Sequence, residues 1–150
     1  MSDATDQAKL EKPKRQQQGA KPPLQQRPSP SKEAQRIALA AAKAGLDKKA
    51  TGVEIVDVTG KVDYADFLVL MTGQSDRHVA AIADAVDDAL GKAGVNAISV
   101  EGLPAAHWVL IDFVDVVVHV FQEESRGLYD LDGLWMDARR VPVPEEAGKA

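Results

Sequence analysis

The sequence contains no cysteine, so disulfide bonds, thiolate nucleophiles and cysteine-based zinc sites are excluded. It also has no apolar run close to the roughly eighteen residues that a membrane-spanning helix needs, so no membrane association is expected. The N-terminus lacks the apolar core of a signal peptide, from which we expect a cytoplasmic protein.

Basic charge is concentrated at the start of the chain. Residues 1–36 have a formal net charge of +4, whereas the remainder has −9. Residues 1–30 are rich in Gln, Lys, Pro and Ala, and Leu10 and Leu24 are their only large aliphatic residues after Met1. Such a segment buries too little apolar surface to offset the entropy lost on ordering. We predict a disordered basic tail over 1–30, which acts as a solubilising segment or as a loose phosphate-binding arm. Its sparse arginines favour the first role.

The stretch 108–121, WVLIDFVDVVVHVF, is the most informative part of the chain. Eleven of its fourteen residues are apolar or aromatic, a composition that fits the pleated surface of a β-sheet. The polar break between Asp112 and Asp115 predicts two antiparallel strands joined by a tight turn. The near-continuous apolar character indicates that both faces are covered, so this hairpin should lie at the centre of a sheet flanked by helices.

The remaining segments supply those helices and further strands. Ser31 and Ser75 are good N-caps for two apolar-striped helices. Pro142 and Pro144 exclude a central strand near the C-terminus, so 138–150 is predicted as a tail. Helices are predicted at 33–44, at 76–92 and around 128–135, and further strands at 52–58, 67–71 and 97–101. The fold class is therefore a single α/β domain over 31–137, with a mixed sheet of about five strands.

Four aspartates are the main candidates for enzyme chemistry. Asp63, Asp66, Asp112 and Asp115 could form a metal-binding carboxylate set. Such a site needs carboxylates that converge from neighbouring strand ends, whereas Asp112 and Asp115 flank a predicted turn, where aspartate commonly makes local hydrogen bonds. A structural role is favoured. A nucleotidyltransferase-like activity that uses Asp112 and Asp115 remains the alternative.

Other polar candidates have ordinary structural explanations. The TGQS segment, 72–75, precedes a predicted helix and could bind an anion, but it lacks the glycine and lysine pattern of a P-loop. No nucleophile is paired with His119, so a hydrogen-bonded sheet histidine is favoured over a catalytic one. Arg77 and His78 lie in the first turn of that helix, where they are expected to be exposed to a partner or a second copy.

Three aromatic residues lie at the margins of predicted elements. Trp108 begins the hairpin, Phe113 lies at its turn, and Tyr129 precedes the last helix. Aromatic side chains in such places are common in protein-binding surfaces. Burial in the core explains the same pattern equally well.

The chain from about residue 37 to residue 136 resembles the ribosomal silencing factor family, also called Iojap-like proteins. The resemblance rests on several motifs in order, and one departure is Val114, where the family usually has glycine. The matching stretches are KKATGVEIVDV (48–58), DYADFLVLMTGQSDRHVAAIADAV (63–86) and VEGLPAAHWVLIDFVDVVVHVFQEESRGLYDLDGLW (100–135).

This resemblance implies a nucleotidyltransferase-like fold without an established catalytic carboxylate set, and hence a binding protein rather than an enzyme, with no cofactor. It implies attachment to the large ribosomal subunit through its fourteenth ribosomal protein. Bound there, the domain would block the small subunit and repress translation when nutrients are short. A role in large-subunit biogenesis is a further expectation.

The expected partner contacts combine this resemblance with the aromatic pattern. The acidic domain should repel bare rRNA and favour a ribosomal protein, while the basic tail adds weak rRNA contact. A homodimer through a sheet edge or the central aromatics is also expected. The predicted partner-binding residues are Trp108, Phe113 and Tyr129 as anchors and Asp115, Arg126 and Glu101 at the rim.

Overall fold

The computed structural model describes residues 30–143, except for the side chains of Leu128, Tyr129, Leu131 and Asp132. Nearly all of the predicted N-terminal tail and the end of the predicted C-terminal tail lie outside this part. In chain order the elements are α1 (Lys32–Asp47), β1 (Thr51–Asp57), β2 (Phe67–Gly73), α2 (Asp76–Lys92), β3 (Ser99–Glu101), β4 (Trp108–Asp112), β5 (Val116–Gln122), α3 (Glu123–Tyr129), α4 (Leu131–Leu134) and β6 (Arg139–Val141).

The strands form one six-stranded sheet in the order β3-β4-β5-β2-β1-β6. The central pair, β2 and β5, is parallel, and every other pair is antiparallel. The predicted mixed sheet and the predicted hairpin of β4 and β5 are therefore confirmed. Trp108 is opposite Phe121 in this hairpin, and Leu110 is opposite His119.

The two long helices pack on one face of the sheet, and each begins at a predicted cap. The Ser31 hydroxyl accepts a hydrogen bond from the Ala34 amide and the Ser75 hydroxyl accepts one from the His78 amide. Alternate residues of each strand point to opposite faces, so the sheet has two apolar clusters. The helix-side cluster includes Val69 and Val118. The cluster on the other face includes Leu68, Leu70, Leu110, Val117 and Phe121, with Trp108 and Trp135 packed against it.

The C-terminal part of the sheet differs from the prediction. Arg139–Val141 pairs with β1 at one edge. The sheet therefore has six strands where about five were predicted, and its last strand lies within the segment 138–150 that was predicted as a tail. Pro142 lies after the strand, so its missing backbone N–H removes no hydrogen bond from the sheet. A proline next to a strand is tolerated at the edge of a sheet. The predicted last helix is two short helices, α3 and α4, separated at Asp130, which has a φ of 53°.

Asp57 links this edge strand to β1. Its carboxylate accepts hydrogen bonds from Arg139 at 2.8 and 3.2 Å and from the Thr59 amide at 2.9 Å. Burial alone raises the pKa of Asp57, but the hydrogen bonds from Thr59 and the ion pair with Arg139 outweigh it, so its pKa lies below the ordinary value of 3.8. A lowered folded-state pKa stabilises the fold above the unfolded-state pKa, and this contribution is lost as the pH falls through the folded-state pKa.

Asp57→Asn should therefore lower the free energy of unfolding at neutral pH. The difference in unfolding free energy between the variant and the wild type should shrink as the pH falls below about 4. Urea unfolding at a series of pH values measures this. Asp88→Asn is the control, because its pairing with Lys92 is at the surface, with both side chains more than 60% exposed, and should contribute little at any pH. A difference that stays constant with pH would contradict the assignment.

The turn between β4 and β5 contains a strained residue. The Asp115 amide donates to the Phe113 carbonyl at 3.1 Å, and Val114 between them has a φ of 79°. These are the features of a γ-turn with positive φ, which is rare and strained. The Asp112 carboxylate accepts from the Val114 amide at 2.9 Å, the local hydrogen bond expected of an aspartate in a turn. A β-branched residue is unfavourable at positive φ.

Val114→Gly should raise the free energy of unfolding by about 1 kcal/mol, because relief of backbone strain exceeds the entropic cost of glycine. Val100→Gly is a matched control. Both valines are 41% exposed, but Val100 lies in β3 and is not among the residues of positive φ, so this change should destabilise. Denaturant titrations compare the two, and a loss of stability in both variants would show that Val114 is not strained.

Candidate functional site

Trp108 is the half-buried first residue of β4. Its ring stacks on Phe121, with centroids 5.1 Å apart and planes inclined by 29°. The indole N–H donates to Nδ1 of His119 at 3.1 Å. One side of the indole therefore belongs to the core, while the residue as a whole keeps partial exposure to solvent, as an anchor residue requires.

Exposed apolar side chains lie on the strand and loop next to β4. Ile98, just before β3, is 46% exposed, Val100 within β3 is 41% exposed, and Leu103 in the loop that leads to Trp108 is 43% exposed. β3 is the last strand in the sheet order, so within residues 30–143 it pairs only with β4. We call Ile98, Val100 and Leu103 the β3 edge patch. This patch was not predicted from the sequence, because Ile98 and Val100, two residues apart, have the alternating pattern of a covered strand.

The loop before Trp108 packs closely against it. Gly102 has a φ of 103°, and a Cβ atom built on it would lie 2.1 Å from the Trp108 carbonyl oxygen. Only glycine allows this approach. The loop therefore fixes the backbone of Trp108. Val100 is opposite Ile111 of the helix-side cluster, whereas Trp108 packs against the other face, so the loop joins features on the two faces of the sheet.

Phe113 does not belong to this surface. Its side chain is 3% exposed and lies in the helix-side core, so its prediction as a partner-binding anchor is wrong for the folded domain. The physical reason is the turn, in which the Phe113 amide donates to the Val116 carbonyl and closes the hairpin over the core. Asp115, a predicted rim residue, is half-buried, and its carbonyl accepts from the amides of Asp66 and Phe67.

The other predicted rim residues differ in what they contact. The Arg126 guanidinium donates to the Gly52 carbonyl and to the Thr72 hydroxyl, the latter at 2.8 Å, so it ties α3 to β1 and β2. Glu101 is half-buried opposite Leu110. The Tyr129 side chain lies outside the described residues, so its assignment as an anchor stays a prediction.

The TGQS segment forms an ordinary helix cap. The Gln74 amide donates to Nδ1 of His78 at 3.0 Å, and Nε2 of His78 is 2.8 Å from the Lys48 carbonyl oxygen. Because an amide can only donate and a carbonyl can only accept, His78 carries its proton on Nε2. The half-buried His78 side chain thus links the Gln74 amide to the Lys48 carbonyl, whereas Arg77 beside it is exposed as predicted.

The predicted carboxylate set does not assemble. Asp66 is buried and accepts from the Ser31 amide at 3.2 Å, while Asp112 accepts from its own turn. Across residues 30–143, no three histidine, aspartate or glutamate side chains are placed to share a metal ion. The alternative enzymatic hypothesis therefore gains no support from the geometry. No helix in the described part of the chain is long and apolar enough to cross a membrane.

Comparison with known proteins gives a consistent result. The family model described as "Ribosomal silencing factor during starvation" matches residues 31–150. A ribosomal silencing factor of Bacillus subtilis is 41% identical over 98 residues, which are 65% of this chain and 83% of the relative. A Zymomonas mobilis ribosomal silencing factor is 37% identical over 89 residues, 59% of this chain and 67% of the relative.

Solved structures agree with the sequence relatives. A Chromobacterium violaceum protein has a TM-score of 0.67 at 32% identity, covering 74% of this chain and 92% of that one. A Bacillus halodurans protein has a TM-score of 0.62 at 34% identity, covering 75% of this chain and all of that one. With a family model matched across the whole described domain and the same fold in these structures, the chain belongs to the ribosomal silencing factor family.

Proposed function

We propose that this protein attaches to the large ribosomal subunit through its fourteenth ribosomal protein and prevents association with the small subunit, thereby repressing translation in the cytoplasm. The observation that carries the proposal is the half-buried Trp108, stacked and hydrogen-bonded at the start of β4, the neighbour of edge strand β3, in a domain of the ribosomal silencing factor family. A fixed, partly exposed aromatic residue at the margin of a sheet is typical of a protein-binding surface.

The charge distribution supports a protein rather than RNA as the main contact. Residues 37–150 have a formal net charge of −9, which repels phosphates and attracts a basic ribosomal protein. The +4 charge of residues 1–36 can add weak, salt-sensitive attraction to nearby rRNA. The mechanism is steric, because a folded domain on the inter-subunit face only needs to occupy space that the small subunit requires.

The exposed edge of β3 also supports self-association as a second candidate property. An unprotected sheet edge can pair with the same edge of another copy. If both contacts use the β3 edge patch, dimer formation and ribosome binding compete. Sedimentation velocity over a range of concentrations, with and without large subunits, separates the two.

The proposed function is tested by adding the full-length chain to isolated bacterial large subunits and then adding small subunits. We expect the protein to pellet with large subunits and to lower the fraction of joined ribosomes in a sucrose gradient. Asp88→Asn, an exposed change on α2, is expected to act like the wild type. Failure to pellet would reject attachment, and pelleting without any effect on joining would reject the steric mechanism.

A further inference from the structure

His119 has an unusual position for a partly polar residue. Its side chain is 2% exposed and lies in β5, the strand between β4 and β2. Its ring lies nearly parallel to that of Phe121, with centroids 5.9 Å apart and planes inclined by 9°. Because the strand is central and the ring is stacked, the His119 side chain is held firmly beside Phe121, which belongs to the apolar cluster on the face away from the two long helices.

The hydrogen bond with Trp108 defines the state of this histidine. An indole N–H can only donate, so Nδ1 of His119, 3.1 Å away, must be unprotonated. The neutral ring then carries its proton on Nε2. The nitrogen atoms of a buried imidazole are usually hydrogen-bonded, because burying an unpaired polar atom costs free energy.

The geometry also determines the direction of the indole. Trp108 is opposite Phe121, and His119 is opposite Leu110, so the hydrogen bond runs diagonally across the hairpin. Stacking on Phe121 holds one face of the ring. The hydrogen bond to a second, diagonal residue fixes the direction in which the indole N–H points.

We propose that His119 is a positioning residue, which holds the Trp108 indole in the orientation that the partner protein binds, without touching the partner itself. The inference rests on the proposed function, since it assigns a task within the same binding surface. Orienting a side chain before association removes part of the entropic cost of binding. The expected effect of losing this orientation is roughly a three- to tenfold loss of affinity.

Two substitutions of His119 separate the hydrogen bond from the packing. His119→Asn places an amide oxygen close to the position of Nδ1 and keeps an acceptor. His119→Leu fills similar space without an acceptor. We expect His119→Leu to weaken binding to isolated large subunits by roughly three- to tenfold and His119→Asn to weaken it less. In a Trp108→Phe background, which has no indole N–H, His119→Leu should have no further effect.

A direct readout is the indole N–H resonance in the ¹⁵N-labelled chain. The sequence has two tryptophans, so Trp135 is an internal reference. We expect slow hydrogen exchange at the Trp108 indole in the wild type and in His119→Asn, and faster exchange in His119→Leu, with Trp135 unchanged. Should His119→Leu fail to fold, the ¹⁵N shifts of His119 in the wild type replace it, and protonation at Nδ1 would overturn the proposal.

The two proposals can fail separately. Equal losses of affinity from His119→Leu in the wild-type and Trp108→Phe backgrounds would show a general structural effect and overturn the positioning role. Unchanged indole exchange in His119→Leu would overturn it as well. No binding of the wild type to large subunits would overturn the proposed function and the positioning role together, while the indole resonance would still show whether the hydrogen bond exists.

Discussion

Trp108→Ala is expected to lower affinity for the large ribosomal subunit by about thirtyfold or more, the usual effect of removing an aromatic anchor. The indole supplies a large apolar surface that is already stacked on Phe121 and hydrogen-bonded to His119, so little entropy is lost when a partner covers it. Cosedimentation with isolated large subunits over a range of protein concentrations measures the change.

Loss of folding must be separated from loss of binding. Trp108→Ala also removes packing from the apolar cluster on the face away from the two long helices, so some decrease in stability is expected. Trp135→Ala is the matched control, because Trp135 is half-buried against the same cluster, in the segment that leads to β6 at the opposite edge of the sheet. It should reduce stability while changing affinity by less than about threefold. Equal effects of both changes on binding would remove Trp108 as the anchor.

The central hairpin was predictable because several local signals coincide. The valine-rich composition of 108–121 indicates strands, and Asp112 has the side chain that closes a turn on its own backbone. The two long helices were predictable for a similar reason: serine caps stand before regular apolar stripes. In each case the information lies within a few residues of the structure that it determines.

The binding surface was less predictable because it depends on distant pairings. Ile98 and Val100 are exposed only because β3 lies at the end of the sheet order. Phe113 is buried because its turn has a positive φ at Val114, a conformation that valine does not predict.

The β6 strand was missed for the same kind of reason. Arg139 and Arg140 look like a polar tail in the sequence. In the fold they pair with Asp57 and Glu54, 82 and 86 residues away. Pairing over such a separation leaves no periodic signal in the local sequence. Sequence patterns therefore located the central elements of this domain better than its edges, and the candidate site lies at an edge.

Gly102→Ala is expected to lower the free energy of unfolding by about 3 kcal/mol, and to weaken large-subunit binding as well. Two costs combine. The φ of 103° is unfavourable for any residue with a side chain, and the new Cβ would lie 2.1 Å from the Trp108 carbonyl oxygen and 3.0 Å from Cα of Val109. Both are backbone atoms, which cannot rotate away, so the first residues of β4 must move and carry the indole with them.

Gly94→Ala separates these two costs. Gly94 also has a positive φ, 86°, but nothing lies within 4 Å of a Cβ built there, so only the conformational cost applies, about 1 kcal/mol. Denaturant unfolding compares the stabilities, and cosedimentation at a temperature where both variants are folded compares the affinities. We expect Gly94→Ala to bind like the wild type and Gly102→Ala to bind more weakly. Equal stabilities of the two variants would show that the loop does not press on Trp108, and normal binding by Gly102→Ala would show that the partner tolerates a displaced indole.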